Sequence, residues 1–309
     1  MTIEMEGFMR PRPLLFLLYL LVACNSSPSD EQAKQQYVTQ IQQWHENRVA
    51  SLKSPTGWLN LAGLFWLEEG ENPFGSAPDN AIVFPEKAPA RLGTLVVRGE
   101  RVEFVGEPGV EVTYQSKPVQ RMTIYTPAQD QPVVLEHGSL AWFVIPRDGR
   151  LAVRLRDYDS EAAANFAGIE TFPIDPAWRL EARLQPYDPP KMLDVPTVLG
   201  TVRREPSPGA LVFEYKGETY QLDVISREED GQLFVIFADE TSGKETYGAG
   251  RFLYVAPPDE NGRTVLDFNK AYNPPCAFTP YATCPLPPAQ NRLPFAVTAG
   301  EKAYHYETS

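Results

Sequence analysis

From Gly57 onward the chain is written in short apolar runs of period two, each closed by Gly, Pro, Asn or Asp, and this punctuation limits the fold more than any other feature. Alternation sends successive side chains to opposite faces of a strand, so one face can be buried while the other stays wet. Residues 59–67, 81–84, 95–97, 101–105 and 111–114 read as strands, followed by 133–135, 140–145 and 151–155. Between the last two, Arg147-Asp148-Gly149-Arg150 supplies a tight hairpin turn. The pattern resumes at 211–215, 219–224, 233–237, 251–255 and 264–268. There are 30 prolines in 309 residues. At about twice the ordinary share of ~5%, they argue against a helical bundle. The expectation is an all-β, mainly antiparallel fold built of sandwich- or barrel-type units.

One segment has a different period. Between Glu31 and Lys53, Tyr37, Ile41, Trp44, Arg48 or Val49, and Leu52 recur at helical spacing. Ser29 or Asp30 can cap the start, and Ser54-Pro55-Thr56-Gly57 stops the helix. Its apolar stripe is expected to lie on the sheet that follows. Pro186, Pro189, Pro190, Pro196, Pro206 and Pro208 mark a boundary, with a short strand allowed at 195–202. The expected division is a signal segment 1–23, a tether and amphipathic helix 24–54, a sandwich-like region 55–185 and a second β region 186–309. Residues 274–294 hold seven prolines in 21 positions, which excludes a central strand and predicts an ordered loop wrapping the sheet.

The N-terminus points to the cell envelope. Residues 14–22 are apolar and follow Arg10 and Arg12, but nine residues are too few to span a bilayer. Leu21-Val22-Ala23-Cys24 resembles the lipobox of bacterial lipoprotein signals. That resemblance implies cleavage after residue 23 and acylation of Cys24. Asn25 in place of Asp implies an outer-membrane destination, with the protein facing the periplasm. An ordinary cleaved signal, in which Cys24 is lost, remains the alternative, and Met9 is a second candidate start. Residues 1–23 carry two acids and two bases, so the net charge of −12 is unchanged by cleavage. Such acidity argues against nucleic acid and leaves the lipid on Cys24 as the membrane contact. With Cys24 lipidated, Cys276 and Cys284 remain, and in an oxidising compartment the pair reads as a disulfide. Free or metal-binding thiols are the competing reading.

Standard catalytic motifs are absent from the sequence: no G-x-S-x-G, no phosphate loop, no H-E-x-x-H. His45 reads as a helix-surface residue, while His137 and His305 offer little for a metal site or a triad. Asp157-Tyr158-Asp159-Ser160-Glu161 mimics a calcium loop but has Ala162 where the turn needs glycine. It reads instead as an acidic loop, solvated or ion-paired with Arg154 and Arg156. No cofactor or metal is expected. The remaining polar block is C-terminal. A strand through Leu266-Asp267-Phe268-Asn269 sends Asp267 and Asn269 to one face, beside Arg251, with Tyr247, Tyr272, Asn273 and Asn291 able to line it.

That composition fits a pocket for a small polar or glycan-type ligand. It equally fits a structural network in which Asp267 pairs with Arg251 and Asn269 caps the loop backbone. A hydrolase acting on an envelope component would use Asp267 as acid or base, with Asp239, Glu240 or Glu245 as a second carboxylate. A third option is an assembly partner using a sheet edge or the Trp58–Trp66 face.

Several odd motifs carry a family resemblance over nearly all the mature chain. They include Gly57-Trp58-Leu59, the run from Gly63 to Gly70, Arg154-Leu155-Arg156-Asp157, Phe172-Pro173-Ile174-Asp175 with Trp178, and Thr246-Tyr247 with Gly250-Arg251-Phe252. Leu266-Asp267-Phe268-Asn269, Tyr272-Asn273-Pro274-Pro275-Cys276, Cys284-Pro285-Leu286-Pro287-Pro288 and Asn291-Arg292-Leu293 complete the set. The chain resembles the bacterial family known as domain of unknown function 1684, which implies no activity. Residues 71–85 also resemble the opening of forkhead-associated β-sandwiches. Ser76 stands where those domains place a phosphopeptide-gripping arginine, so the likeness implies a sandwich and not phosphothreonine binding.

Overall fold

The computed structural model describes residues 29–304. The signal segment, Cys24, residues 25–28 of the tether and His305 lie outside them. Strand makes up 43% and helix 16%. The architecture is mainly antiparallel β with one long N-terminal helix, as the alternation predicts.

Helix α1 spans Asp30–Lys53. Ser29 is its N-cap, in a capping box: the Ser29 hydroxyl accepts from Gln32 N, and the Gln32 side chain accepts from Ser29 N. Ile41 and Leu52 are its buried residues. The stripe does not lie on the sheet that follows. Most of it lies on the C-terminal part of the chain: Tyr37 donates to Asp267 at 2.9 Å, Trp44 meets Tyr272, and Arg48 pairs with Glu301 at 3.2 Å. Leu52, at its end, packs with Leu59, Ala163 and Phe166 as well as Phe278. Sequence adjacency favoured the nearer sheet, but the polar groups able to satisfy Tyr37 and Arg48 sit more than 200 residues away.

Two sheets follow. The first runs in the order β1 (Leu61–Trp66), β11 (Arg150–Asp157), β10 (Leu140–Arg147), β9 (Leu135–His137), β6 (Thr113–Tyr114), β7 (Lys117–Pro118). The second runs β3 (Ile82–Val83), β2 (Gly70–Gly75), β4 (Gly93–Arg98), β5 (Arg101–Gly106), β8 (Arg121–Tyr125). Only the β2–β3 pair of these is parallel. One core fills the unit around fully buried Trp142, with the Phe74, Phe84 and Phe104 rings 5.5, 5.8 and 6.4 Å from it. Asp148 and Gly149 both have positive φ (48° and 76°), as the tight β10–β11 turn requires. Ser76 donates to Ala88 O at 2.8 Å and so fastens a loop.

The second β unit has the sheet β14 (Glu218–Asp223), β13 (Val202–Tyr215), β12 (Arg179–Pro196), β18 (Arg263–Asp267). Beside it lies the sheet β15 (Ser226–Arg227), β16 (Leu233–Phe237), β17 (Arg251–Val255). Residues 186–209 are not a linker between units. They belong to the long β12–β13 hairpin, and Trp178, Ala182 and Leu184 already pack in the second core. Pro189, Pro190 and Pro208 fall where the ladder is irregular, whereas Pro186, Pro196 and Pro206 are paired within it. Its register shifts between Pro186 and Lys191, and a bulge there needs no N–H from Pro189 or Pro190.

The proline loop wraps this unit as expected. It bridges Thr197 to Pro285 and Ala238 to Arg292, and a disulfide joins Cys276 to Cys284. Gly250 (φ +85°) lets it approach, since a Cβ there would meet Phe237 O and a Pro287 ring carbon, each at 2.5 Å. Replacing both cysteines with serine should cost roughly 2–3 kcal/mol, by loss of a short loop closure. A chemical denaturation midpoint equal to that of the parent would show that the prolines and bridges alone hold the loop.

Candidate functional site

The C-terminal polar block does not form one open face. Arg251, at the start of β17, is completely buried and pairs with Asp239 at 2.9 Å, not with Asp267. Its terminal nitrogens also donate to the carbonyls of Val297, Ala299 and Glu301, while its buried Nε has no partner among the described residues. Asp239 is satisfied in turn by Thr241 N, the Thr241 hydroxyl and Val297 N.

The strand ends at Asp267, which caps a 3₁₀ turn over Phe268–Lys270, so Asp267 and Asn269 do not alternate on a strand. Asp267 accepts from the Tyr37 hydroxyl and from Asn269 N. Asn269 grips both backbone groups of Asp175, at 3.1 and 2.8 Å. Asn291 does the same for Asp223 and also donates to Ile236 O. Asn273 donates its side chain to Lys302 O and its backbone N to Glu301. The Tyr247 hydroxyl donates to Cys276 O, and Tyr272 lies under the Arg48 guanidinium, 4.7 Å from its ring centroid. Burial raises the Tyr272 phenol far above its ordinary range. These residues tie loops and helix α1 to the sheets. The network reading therefore fits their geometry, with Asp239 in the place foreseen for Asp267.

Other expectations also shift. Asp157 pairs with Lys87 at 2.6 Å and accepts from Ser139, leaving Arg154 and Arg156 without it. Burial pushes the Asp157 carboxyl up, but the Lys87, Ser139 and backbone bonds outweigh this and lower it. His45 is half-buried, edge-on to Trp44, and burial lowers its pKa.

The arginines that Asp157 leaves unpaired define a different site. Along β11, Leu151, Val153 and Leu155 face the Trp142 core, while Arg150, Arg154 and Arg156 point to the other face. On β10, Phe143, Ile145 and Arg147 lie opposite Arg154, Ala152 and Arg150. Arg147 and Arg154 line a cavity of about 230 Å³ together with Arg203 from β13, Trp58, Phe252, Pro275 and residues 282–285 of the disulfide loop. Arg154 is 6% exposed. Among the described residues it makes no ion pair and no hydrogen bond, and the buried Nε atoms of Arg154, Arg156 and Arg203 have no partner. The Trp58 ring, 5.8 Å from the Arg154 guanidinium, is a partial substitute.

Burial, and then the charges of Arg147 and Arg156, lower Arg154 to about 10. Burial and Arg203 lower Arg147, against a raising effect of Asp148. Arg154 therefore stays cationic at neutral pH. Arg147 and Arg203 are half-buried, so the cavity can be reached from solvent.

Four other concavities are larger, and two of them, of about 650 and 720 Å³, lie along β12, β13 and β18. These two mix Glu181, Glu214 and Glu260 with Arg183 and Arg263, and none of their side chains is a buried polar group lacking a partner. Among the described residues no group of His, Cys, Asp and Glu could hold a metal ion.

Sequence reasoning passed over Arg147 and Arg203 as site residues and offered Arg154 only as a possible ion-pair partner of the acidic loop at Asp157. One signal was present: from Arg150 to Arg156 the even positions are Arg, Ala, Arg, Arg and the odd ones apolar, a buried strand with a cationic second face.

Residues 164–302 match the profile of a family described as protein of unknown function (DUF1684). The solution NMR structure of an uncharacterized protein from Haloarcula marismortui is 34% identical, covering 45% of this chain and 78% of that one with a TM-score of 0.38. At that score the likeness says nothing of the fold. No curated protein matches.

Proposed function

The chain belongs to the DUF1684 family, and we propose that it binds a small anionic ligand in the cavity lined by Arg147, Arg154 and Arg203. The observation that carries this reading is Arg154: a buried guanidinium, in a protein of net charge −12, without an anionic partner among the described residues. A buried charge is costly unless paired, and guanidinium forks match carboxylate, phosphate and sulfate oxygens two at a time. The ligand class is therefore narrower than polar or glycan-type: it carries an oxyanion, as an acidic sugar or a phosphate ester does. With Cys24 acylated, the cavity would work at the envelope surface, on the periplasmic side of the outer membrane.

The unpaired charge has a stability cost. A guanidinium with a folded-state pKa near 10 against an ordinary 12.5 opposes folding by on the order of 3 kcal/mol at every pH below the folded value. The cost fades as pH rises from about 10 to 12.5. A bound anion should offset it. Titration calorimetry with phosphate, sulfate, citrate, glucuronate and neutral glucose tests the reading. The anions should bind and glucose should not, with sulfate, which does not titrate in this range, bound equally from pH 7 to 9 and more weakly above pH 10 as Arg154 deprotonates. Arg154→Met should weaken phosphate at least tenfold while leaving the unliganded melting temperature level or higher. Glucose binding as well as glucuronate, or a methionine variant that keeps phosphate, would reject it.

A further inference from the structure

We infer that the anion bound in the arginine cavity is the head group of an amphiphile, whose aliphatic chain lies over the exposed turn of the β12–β13 hairpin. This rests on the anion reading above and adds the chemistry of the rest of the ligand. The turn stands at the cavity mouth. Val198 N donates to Cys284 O at 3.1 Å and Thr197 bridges to Pro285, and Cys284 and Pro285 both line the cavity. On the other side, the Thr201 hydroxyl donates to Asp148 at 2.7 Å, next to Arg147. Thr197 and Thr201 close the turn on themselves through N–H···O and hydroxyl contacts of 2.9 and 2.7 Å.

A turn pinned at so many points does not need apolar side chains in water to hold its shape. Yet Val198, Leu199 and Val202 are 42, 39 and 59% exposed. Met192, further back on β12, is 45% exposed, so four of the seven large exposed hydrophobics among the described residues belong to this one hairpin. Single exposed apolar residues need no explanation, but a cluster does. Arg203 pairs with buried Val195 and lines the cavity, so alternation turns Val202 and Met192 to the outer face of the hairpin, and the lip on the cavity side is Val198 and Leu199 at the turn.

Cationic depth with an apolar lip is complementary to one kind of molecule, an oxyanion on a hydrocarbon chain. A soluble sugar acid or free phosphate would use the cavity and leave the lip wet. The cavity itself, at about 230 Å³, is smaller than the ~300–1,000 Å³ that encloses a drug-sized ligand. It suits a head group with its tail outside.

The test uses the full-length chain carrying Cys24→Ser, which has no lipid of its own, titrated with inorganic phosphate and with ethyl, butyl, hexyl and octyl phosphate below their micelle concentrations. Each buried methylene should tighten binding by up to roughly fourfold. The expected result is a gain of at least tenfold from ethyl to hexyl phosphate. It should disappear in Val198→Ser/Leu199→Ser, which keeps the parent's affinity for inorganic phosphate, and persist in Val202→Ser on the outer face. Equal affinity along the series would overturn this inference and leave the anion reading standing. Octyl phosphate held equally by the parent and by Arg154→Met would overturn both, as would no binding by any phosphate.

Discussion

Replacing Arg251 with methionine should lower the unfolding midpoint by on the order of 10 °C, the largest single-residue loss expected in the second β unit. The side chain is completely enclosed and joins β17 to Asp239 and to three carbonyls of the C-terminal segment. Removing one partner of a buried pair strands the other, which costs about 3–5 kcal/mol. Asp239 keeps its bonds from Thr241 and Val297, and these do not cancel its charge. A second substitution, Asp239→Asn, made on the methionine variant should restore part of the loss, because it removes the stranded charge. Independent, additive effects of the two changes would contradict this account.

Trp142→Ala should cost about 3–5 kcal/mol in the first unit, through lost transfer energy and the cavity left among Phe74, Phe84 and Phe104. Calorimetry of the two variants together also tests the expected division into two β units. If the units unfold separately, Trp142→Ala shifts one transition and Arg251→Met the other. One transition shifted by both would show that the long hairpin and helix α1 make the halves a single cooperative body.

The strands were legible because burial of one face leaves a period of two in the sequence whatever the sheet later packs against. Residues 140–145 and 151–155 show this, and so does the hairpin at Asp148-Gly149. The helix and its start at Ser29 were legible for the same reason, since capping is local. The place where α1 docks was not. Arg48 reaches Glu301 and Asn273 O, a surface that exists only after residues 272–301 have folded. Asn269 and Asn291 were legible as polar residues able to satisfy backbone, but not the segments they hold, at Asp175 and Asp223.

The candidate site divides along the same line. By itself, the sequence determined a β-rich chain with a capped N-terminal helix, a cysteine pair free to cross-link, and a strand with arginine along one face. Those follow from local periodicity, local hydrogen bonding and composition. Only the tertiary structure decided that Arg251 belongs to Asp239, that Asp157 belongs to Lys87, and that Arg147, Arg154 and Arg203 share one cavity in which Arg154 has no ion pair among the described residues. Which charge neutralises which depends on what each strand face meets across space. Period two says that a side chain faces away from its own core, and the packing of β11, β13 and the disulfide loop determines what it faces.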